Sequence, residues 1–297
     1  MVRNLNFRGY LKCLLFICLC LTLEFEAGAA GPPDATNLSP RIVMANYDTV
    51  RGPFSQTYRQ CVGAGRAAEG LRAEWQAQLK ECQNAIGFKY IRFHGLLHDE
   101  MGVYSEDAKG NPQYNWQYID ALYDYLLSIG VRPFVELSFM PNALASIRIG
   151  NEEWGKSSQP RKISVFWWKA NITPPKSYLK WDNLIKALTQ HWTDRYGAHE
   201  VAQWYFEVWN EPDHPSFFSP TNNATRLQEY LELYDHTARA VQSVNPSYRI
   251  GGPAGATTTF IVPLIDYCAT NRTPLDFISF HAYATHGKYK AGSQDAL

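Results

Sequence analysis

The 297-residue sequence predicts an α/β fold of the (β/α)8 TIM-barrel type, cut short after about six βα units. Three observations carry this. Short apolar runs alternate with amphipathic stretches along most of the chain. The apolar runs are too continuously hydrophobic for a sheet buried on one face, as parallel strands covered by crossover helices are. Polar side chains gather where those runs end: Asn46 and Asp48, Arg92 and His94, Glu136, Asn210 and Glu211, His281 and Tyr283. Functional groups at the C-terminal ends of several strands mark barrel enzymes. No glycine-rich loop follows the first run, so a nucleotide-binding doubly wound sheet has no support.

The elements follow in order. Residues 41–50 (RIVMANYDTV) read as the first strand. Residues 67–87 read as a helix, with Leu71, Trp75, Leu79 and Cys82 near helical spacing and Gly87 as its stop. A strand at 88–97 leads to a helix at 114–130, which carries Ile119, Leu122, Tyr123, Leu126 and Leu127 on one face and ends at Gly130. After a strand at 131–139, Met140 to about Pro175 breaks the rhythm as a structured excursion containing FWWKANITPP. A helix at 177–197, a strand at 201–210, a helix at 224–245 and a strand at 248–254 follow. A helix at 258–271, interrupted near Pro263, and a strand at 275–284 complete the set. That is six strands where a barrel of ~250 residues uses eight.

At the N-terminus Arg3, Arg8 and Lys12 precede CLLFICLCLTL, and Ala27-Gly28-Ala29-Ala30 follows it. This pattern predicts a secretory signal peptide over residues 1–30, leaving 31–297 as the barrel domain. The apolar run is about half the ~20 residues that a membrane span needs. Sequons at Asn37, Asn171, Asn223 and Asn271 suit a glycosylated, secreted protein. Beyond the signal, Cys61, Cys82 and Cys268 are an odd set, open to one disulfide and a free thiol or to an outside partner. Twenty-eight basic residues balance 28 acidic ones, so nothing draws nucleic acid or an anionic membrane from a distance. No Cys-x-x-Cys or His/Cys cluster indicates a metal, and no cofactor is expected. The aromatic content of 14% suits sugar rings as well as barrel packing.

Chemistry concentrates in WYFEVWNEPDH, residues 204–214. Glycoside hydrolysis needs one carboxyl to protonate the leaving oxygen and a second as nucleophile or base. Glu211 suits the first role, because a carboxyl at the mouth of an apolar strand is partly desolvated and its pKa rises. Asn210 can hydrogen-bond a sugar hydroxyl, and Pro212 stiffens the turn; Asp213 and His214 read as loop residues. A lone Asn-Glu pair could equally cap the next segment. Trp167, on aromatic chemistry alone, is a candidate sugar platform, and Trp167-Trp168 could also be loop core.

The motif EVWNEPD resembles the acid/base motif of retaining glycoside hydrolases of the large (β/α)8 clan. NYDTVRG, RFHGLLHDEMGVY, PFVELSFMPNALAS, FWWKANITPPKSYLKW and LDFISFHAYATHG extend the resemblance, over about residues 41–289, to glycoside hydrolase family 39. That family holds β-xylosidases and α-L-iduronidases. The resemblance implies a carbohydrate substrate, Glu211 as acid/base and Asn210 as partner of the 2-hydroxyl. It implies His94 in the glycone subsite, Arg92 behind it bracing carboxylates, and His281 and Tyr283 lining the site. Bland roles compete: Arg92 could pair with Glu136 alone, and His281 could be a core histidine.

After the sixth-strand histidine, FHAYATHG lacks the lysine that iduronidases use for the uronate. The resemblance is therefore nearer the β-xylosidase branch and a neutral sugar, with an iduronidase-like enzyme as the alternative. It also implies a nucleophilic Glu at the end of a seventh strand. Too few residues follow Glu211 for three further βα units of ~30 residues each. Past His281, THGKYKAGSQDAL offers only Asp295 as an acid. The expectation is a nucleophile outside this chain. The rival is a non-catalytic carbohydrate-binding relic.

Overall fold

The computed structural model describes residues 44, 48–49, 52–149, 162–221 and 225–283. The signal segment, most of the 41–50 strand and Asp295 lie outside the described residues; Met44, Asp48 and Thr49, which are described, belong to no strand. The sheet has six parallel strands: β1 (Cys61–Arg66), β2 (Tyr90–His94), β5 (Arg132–Leu137), β6 (Tyr205–Val208), β7 (Arg249–Gly255) and β8 (Phe277–Phe280). They neighbour one another in the order β1-β2-β5-β6-β7-β8, and β3 (Tyr104–Glu106) and β4 (Pro112–Tyr114) form a separate antiparallel hairpin. Six parallel strands in chain order with helices between them are the α/β architecture expected.

One strand is a different one. The sheet opens on CVGAGR at 61–66, where three consecutive small residues, Gly63, Ala64 and Gly65, give almost no strand propensity to read. The helix expected over 67–87 divides accordingly. Ala67–Leu71 is a 3-10 turn and α1 (Ala73–Ile86) follows, closed by Gly87 in the left-handed region at φ 78°. Of the face assigned to that helix, Leu79 is buried but Cys82 is exposed, because α1 covers only the edge of the sheet.

The remaining helices are α2 (Gln117–Ser128), α3 (Tyr178–Tyr196), a short α4 (Ala198–Val201), α5 (Arg226–Val244) and α6 (Ile261–Asn271). Ser177 caps α3, and Thr225 with Gln228 forms a capping box on α5. Pro263 does not interrupt α6: it falls in the first turn, where its missing N–H costs no intrahelical bond.

Alternation along the strands divides the core in two. Ile91, Val135, Phe206 and Ile250 face outward, fully buried in one cluster with Leu122, Trp192 and Leu233 of the helices. The inward residues form layers. At the bottom Tyr205 lies 5.2 Å from both Tyr90 and Phe134, with Phe277 edge-on at 5.3 Å and the Arg249 guanidinium 3.8 Å over its ring. One pleat higher, Arg92, Glu136 and Glu207 point the same way, and register sets Glu136 opposite Glu207. The C-terminal strand ends therefore carry the charge.

The excursion after β5 is structured where described. Its centre is Asn171, 4% exposed, whose Nδ2 donates to Asn142 Oδ1 (3.1 Å) and Ile147 O (2.8 Å). Its Oδ1 accepts from the Thr173 amide (3.0 Å) and hydroxyl (2.8 Å). This sequon asparagine is a loop lock, with both amide hydrogens in use. Asn271 is exposed at the end of α6, while Asn37 and Asn223 fall outside the described residues. The three thiols are free, with Cys61 exposed and Cys268 buried. Among the described residues no helix is long and apolar enough to cross a membrane.

Candidate active site

β6 ends by changing hand. After Val208 the backbone enters positive φ at Trp209 (73°) and again at Glu211 (47°), which turns consecutive side chains out of strand alternation. Trp209 is pinned by its indole N–H on Phe217 O at 2.7 Å. The Glu211 amide donates to Ala254 O at 2.9 Å, fastening the turn to β7. Asp213 is more than a loop residue. Its carboxylate accepts the Ala256 and Thr257 amides (both 2.8 Å) and the Thr257 hydroxyl (2.6 Å), tying the β6 exit to the loop after β7. His214 accepts the Ser216 amide at 3.2 Å, a local turn contact.

Two groups of side chains stand at these strand ends. In the first, Arg92 from β2 donates through Nε to Glu207 Oε2 (2.6 Å) and through Nη2 to Asn210 Oδ1 (3.1 Å), and the same Nη2 forms an ion pair with Glu136 Oε2 at 2.8 Å. His94 Nδ1 lies 2.7 Å from the same Glu136 oxygen, and Ser138 Oγ donates to the other one. Burial works against the charge on Arg92, but Glu136 and Glu207 outweigh it and hold its pKa above the ordinary arginine value. Burial likewise disfavours ionised Glu136, and the Arg92 charge together with the hydrogen bonds from His94 and Ser138 outweighs that, keeping it below the usual carboxylate range. In the second group, His281 Nδ1 meets Glu211 Oε1 at 2.7 Å. The His281 amide donates to Gly255 O at 2.7 Å, which places this histidine directly past β8.

The structure thus brings Arg92, His94 and Asn210 together and pairs Glu211 with His281. Arg92 braces Glu136 and Glu207 and also holds Asn210, so it does not pair with Glu136 alone. Trp167 stands elsewhere. It is 72% exposed, with the Arg66 guanidinium 4.2 Å from its ring centre, and Glu69 and Glu100 anchor that arginine. The ring beside His94 is Phe166, 5.0 Å away, backed by buried Trp168. Tyr283, 55% exposed, lies two residues past His281. Sequence reasoning passed over Glu207 by treating YFEV as one apolar run; period-two alternation from Tyr205 sets it on the inner face. Among the described residues no three His, Cys, Asp or Glu side chains are grouped to hold a metal ion.

The family described as "Glycosyl hydrolases family 39" matches residues 42–294. The chain belongs to glycosyl hydrolase family 39. Within family 39 it is 44% identical over 245 residues to a beta-xylosidase of Geobacillus stearothermophilus, covering 81% of this chain and 45% of that protein. It is 42% identical over 251 residues to a beta-xylosidase of Caldicellulosiruptor saccharolyticus, covering 84% and 48%. The human alpha-L-iduronidase is more distant, at 26% over 232 residues, covering 75% and 31%. The crystal structure of a family 39 enzyme from Xanthomonas axonopodis pv. citri superposes with a TM-score of 0.68 at 38% identity, covering 80% of this chain and 43% of that one. The chain spans about half the length of the curated relatives it matches. Among the described residues of this family 39 chain the sheet's first strand is CVGAGR, while the motif NYDTVRG, assigned to the first strand by resemblance, lies mostly outside them.

Proposed function

We propose that this chain supplies the acid/base side of a retaining glycosidase site for a neutral, β-xyloside-type sugar, in a protein exported by its N-terminal leader. The observation that carries the reading is the β6 exit. There Glu211, its side chain 15% exposed, is oriented by His281 next to an Asn210 held from below by Arg92. Glu211 would protonate the departing glycosidic oxygen and then take a proton from the incoming water, with Asn210 on the 2-hydroxyl. The second carboxylate must come from outside the described residues. Glu136 and Glu207 are both buried and bound to Arg92, so neither is free to attack a sugar. The higher identity to beta-xylosidases than to an alpha-L-iduronidase favours the neutral sugar.

The test is expression, in a eukaryotic secretory host with its own leader, of a chain continued in frame past Leu297. The medium is assayed on an activated aryl β-xyloside and on an unactivated xyloside. Glu211→Ala should lose about 10²–10⁴-fold on the unactivated substrate, the scale of general acid catalysis, and far less on the aryl glycoside. Equal losses on both would remove the acid role, and protein retained in the cell with its leader uncleaved would remove export. The secreted protein should carry a glycan at exposed Asn271 and none at Asn171, whose amide is locked in the loop.

A further inference from the structure

Glu136 touches nothing outside the protein, yet two side chains at the strand ends depend on it. It is 1% exposed, accepts hydrogen bonds from His94 Nδ1 on Oε2 (2.7 Å) and from Ser138 Oγ on Oε1, and forms an ion pair through Oε2 with Arg92 Nη2 at 2.8 Å. We propose that Glu136 is a positioning residue that fixes the hydrogen-bond polarity of Asn210 and His94, and so selects a sugar hydroxyl over a carboxylate between them. The selection rests on the sugar site proposed above; the polarity does not.

The polarity follows from what each group can and cannot donate. A guanidinium only donates, so Arg92 can meet Asn210 only at the carbonyl oxygen, Oδ1, at 3.1 Å. The Asn210 amide nitrogen is then turned away from Arg92, with two hydrogens to give. Glu136 and Glu207 grip different nitrogens of that guanidinium, at 2.8 and 2.6 Å, so it cannot swing to release the amide. An ionised carboxylate only accepts, so the His94 hydrogen must sit on Nδ1. In the neutral ring Nε2 is left with a lone pair. The pair therefore offers one donor and one acceptor. A hydroxyl, which both donates and accepts, matches either group. A carboxylate can take the amide hydrogens but has nothing to give Nε2, and its charge adds to those of buried Glu136 and Glu207.

The experiment is ¹⁵N-histidine NMR on the full chain without ligand, with His94 assigned by the signal missing from His94→Gln. His94 should be the Nδ1–H tautomer in the wild type and should shift toward Nε2–H in Glu136→Gln, while the other histidines stay put. An Nε2–H tautomer in the wild type overturns the proposal without any variant, so it survives a Glu136→Gln that fails to fold. Titration with xylose and with glucuronate then tests the selection. Preference for xylose should be about tenfold or more, one hydrogen bond's worth, and should narrow in Glu136→Gln. An unchanged preference, with the tautomer shifted, would overturn the selection. Absence of any sugar binding alongside the expected tautomer would sink the sugar-site reading and leave the polarity standing.

Discussion

The inner strands and the edge strands of this sheet solve the same problem differently. On β2, β5 and β6 every charged side chain at the strand end has a named partner, Glu136 and Glu207 being buried at 1% and 2% exposure, and the outward residues are sealed, as Phe206 at 0% shows. On β8 the outward residues Ile278 and Phe280 are 37% and 50% exposed. The candidate site residue past it, His281, is held among the described residues by its own amide on Gly255 O and by its contact to Glu211. The Arg92–His94–Asn210 wall is thus organised by several partners among the described residues. The Glu211–His281 wall has one well-anchored member and one lightly held member. Pre-organisation of charged groups is what makes a site catalytically useful, so the two walls should respond differently to damage.

Removing the hub of the inner wall should have the largest effect. Arg92→Ala leaves Glu136 and Glu207 buried without their cation, and breaking such a pair costs about 3–5 kcal/mol. The urea unfolding midpoint should fall accordingly. Arg92→Lys should recover little, because one ammonium cannot reach Glu207, Glu136 and Asn210 from the two separate nitrogens that the guanidinium uses. A loss under about 1 kcal/mol for Arg92→Ala would erase the contrast between the walls.

The same contrast explains what could be read without coordinates. The strand-helix alternation and the strand-end polar residues were legible because the inner strands carry an apolar outward face and turn polar only near their ends, and because α3 and α5 are long and capped. Arg92, His94 and Asn210 were legible as strand-end residues for the same reason. What failed lay at the edge or turned on pleat: β1 is built from glycine and alanine and carries no strand signal, so RIVMANYDTV stood in for it. Glu207 was hidden in an apolar run whose alternation was not resolved. Aromatic composition singled out Trp167, yet only contacts distinguish it from Phe166, since both belong to one FWW run and one of them stacks on Arg66 instead.

Acid should weaken the inner wall. The folded pKa of Glu136 lies below its ordinary value of 4.5, because Arg92 and His94 outweigh burial. Glu106 is depressed to about 2, where hydrogen bonds from Lys176 and Lys180 overcome the opposing effect of burial. A carboxylate with a lowered folded pKa stabilises fully above its unfolded value and loses that contribution as pH falls through the folded one. Stability measured by urea titration should therefore decline from about pH 4.5 downward, continuing to about pH 2. Glu136→Gln, which cannot ionise, should flatten the upper part of that decline. Constant stability across the window would mean that these carboxylates titrate alike folded and unfolded.

The finest test compares one residue type at two places. Phe206 on β6 and Phe280 on β8 both point outward from the sheet, but only the first is sealed by helices. Phe206→Ala should cost about 3–5 kcal/mol, since it removes a fully buried ring and leaves a cavity. Phe280→Ala should cost about 1 kcal/mol or less, because half of that ring is already in water and no closed cavity can form. Thermal or urea unfolding of the two variants gives the difference directly. Equal losses would show that the outer face of β8 is covered in solution, by residues outside those described or by another molecule. The lightly held wall would then be as well supported as the inner one, and His281 would owe its position to packing as much as to Glu211.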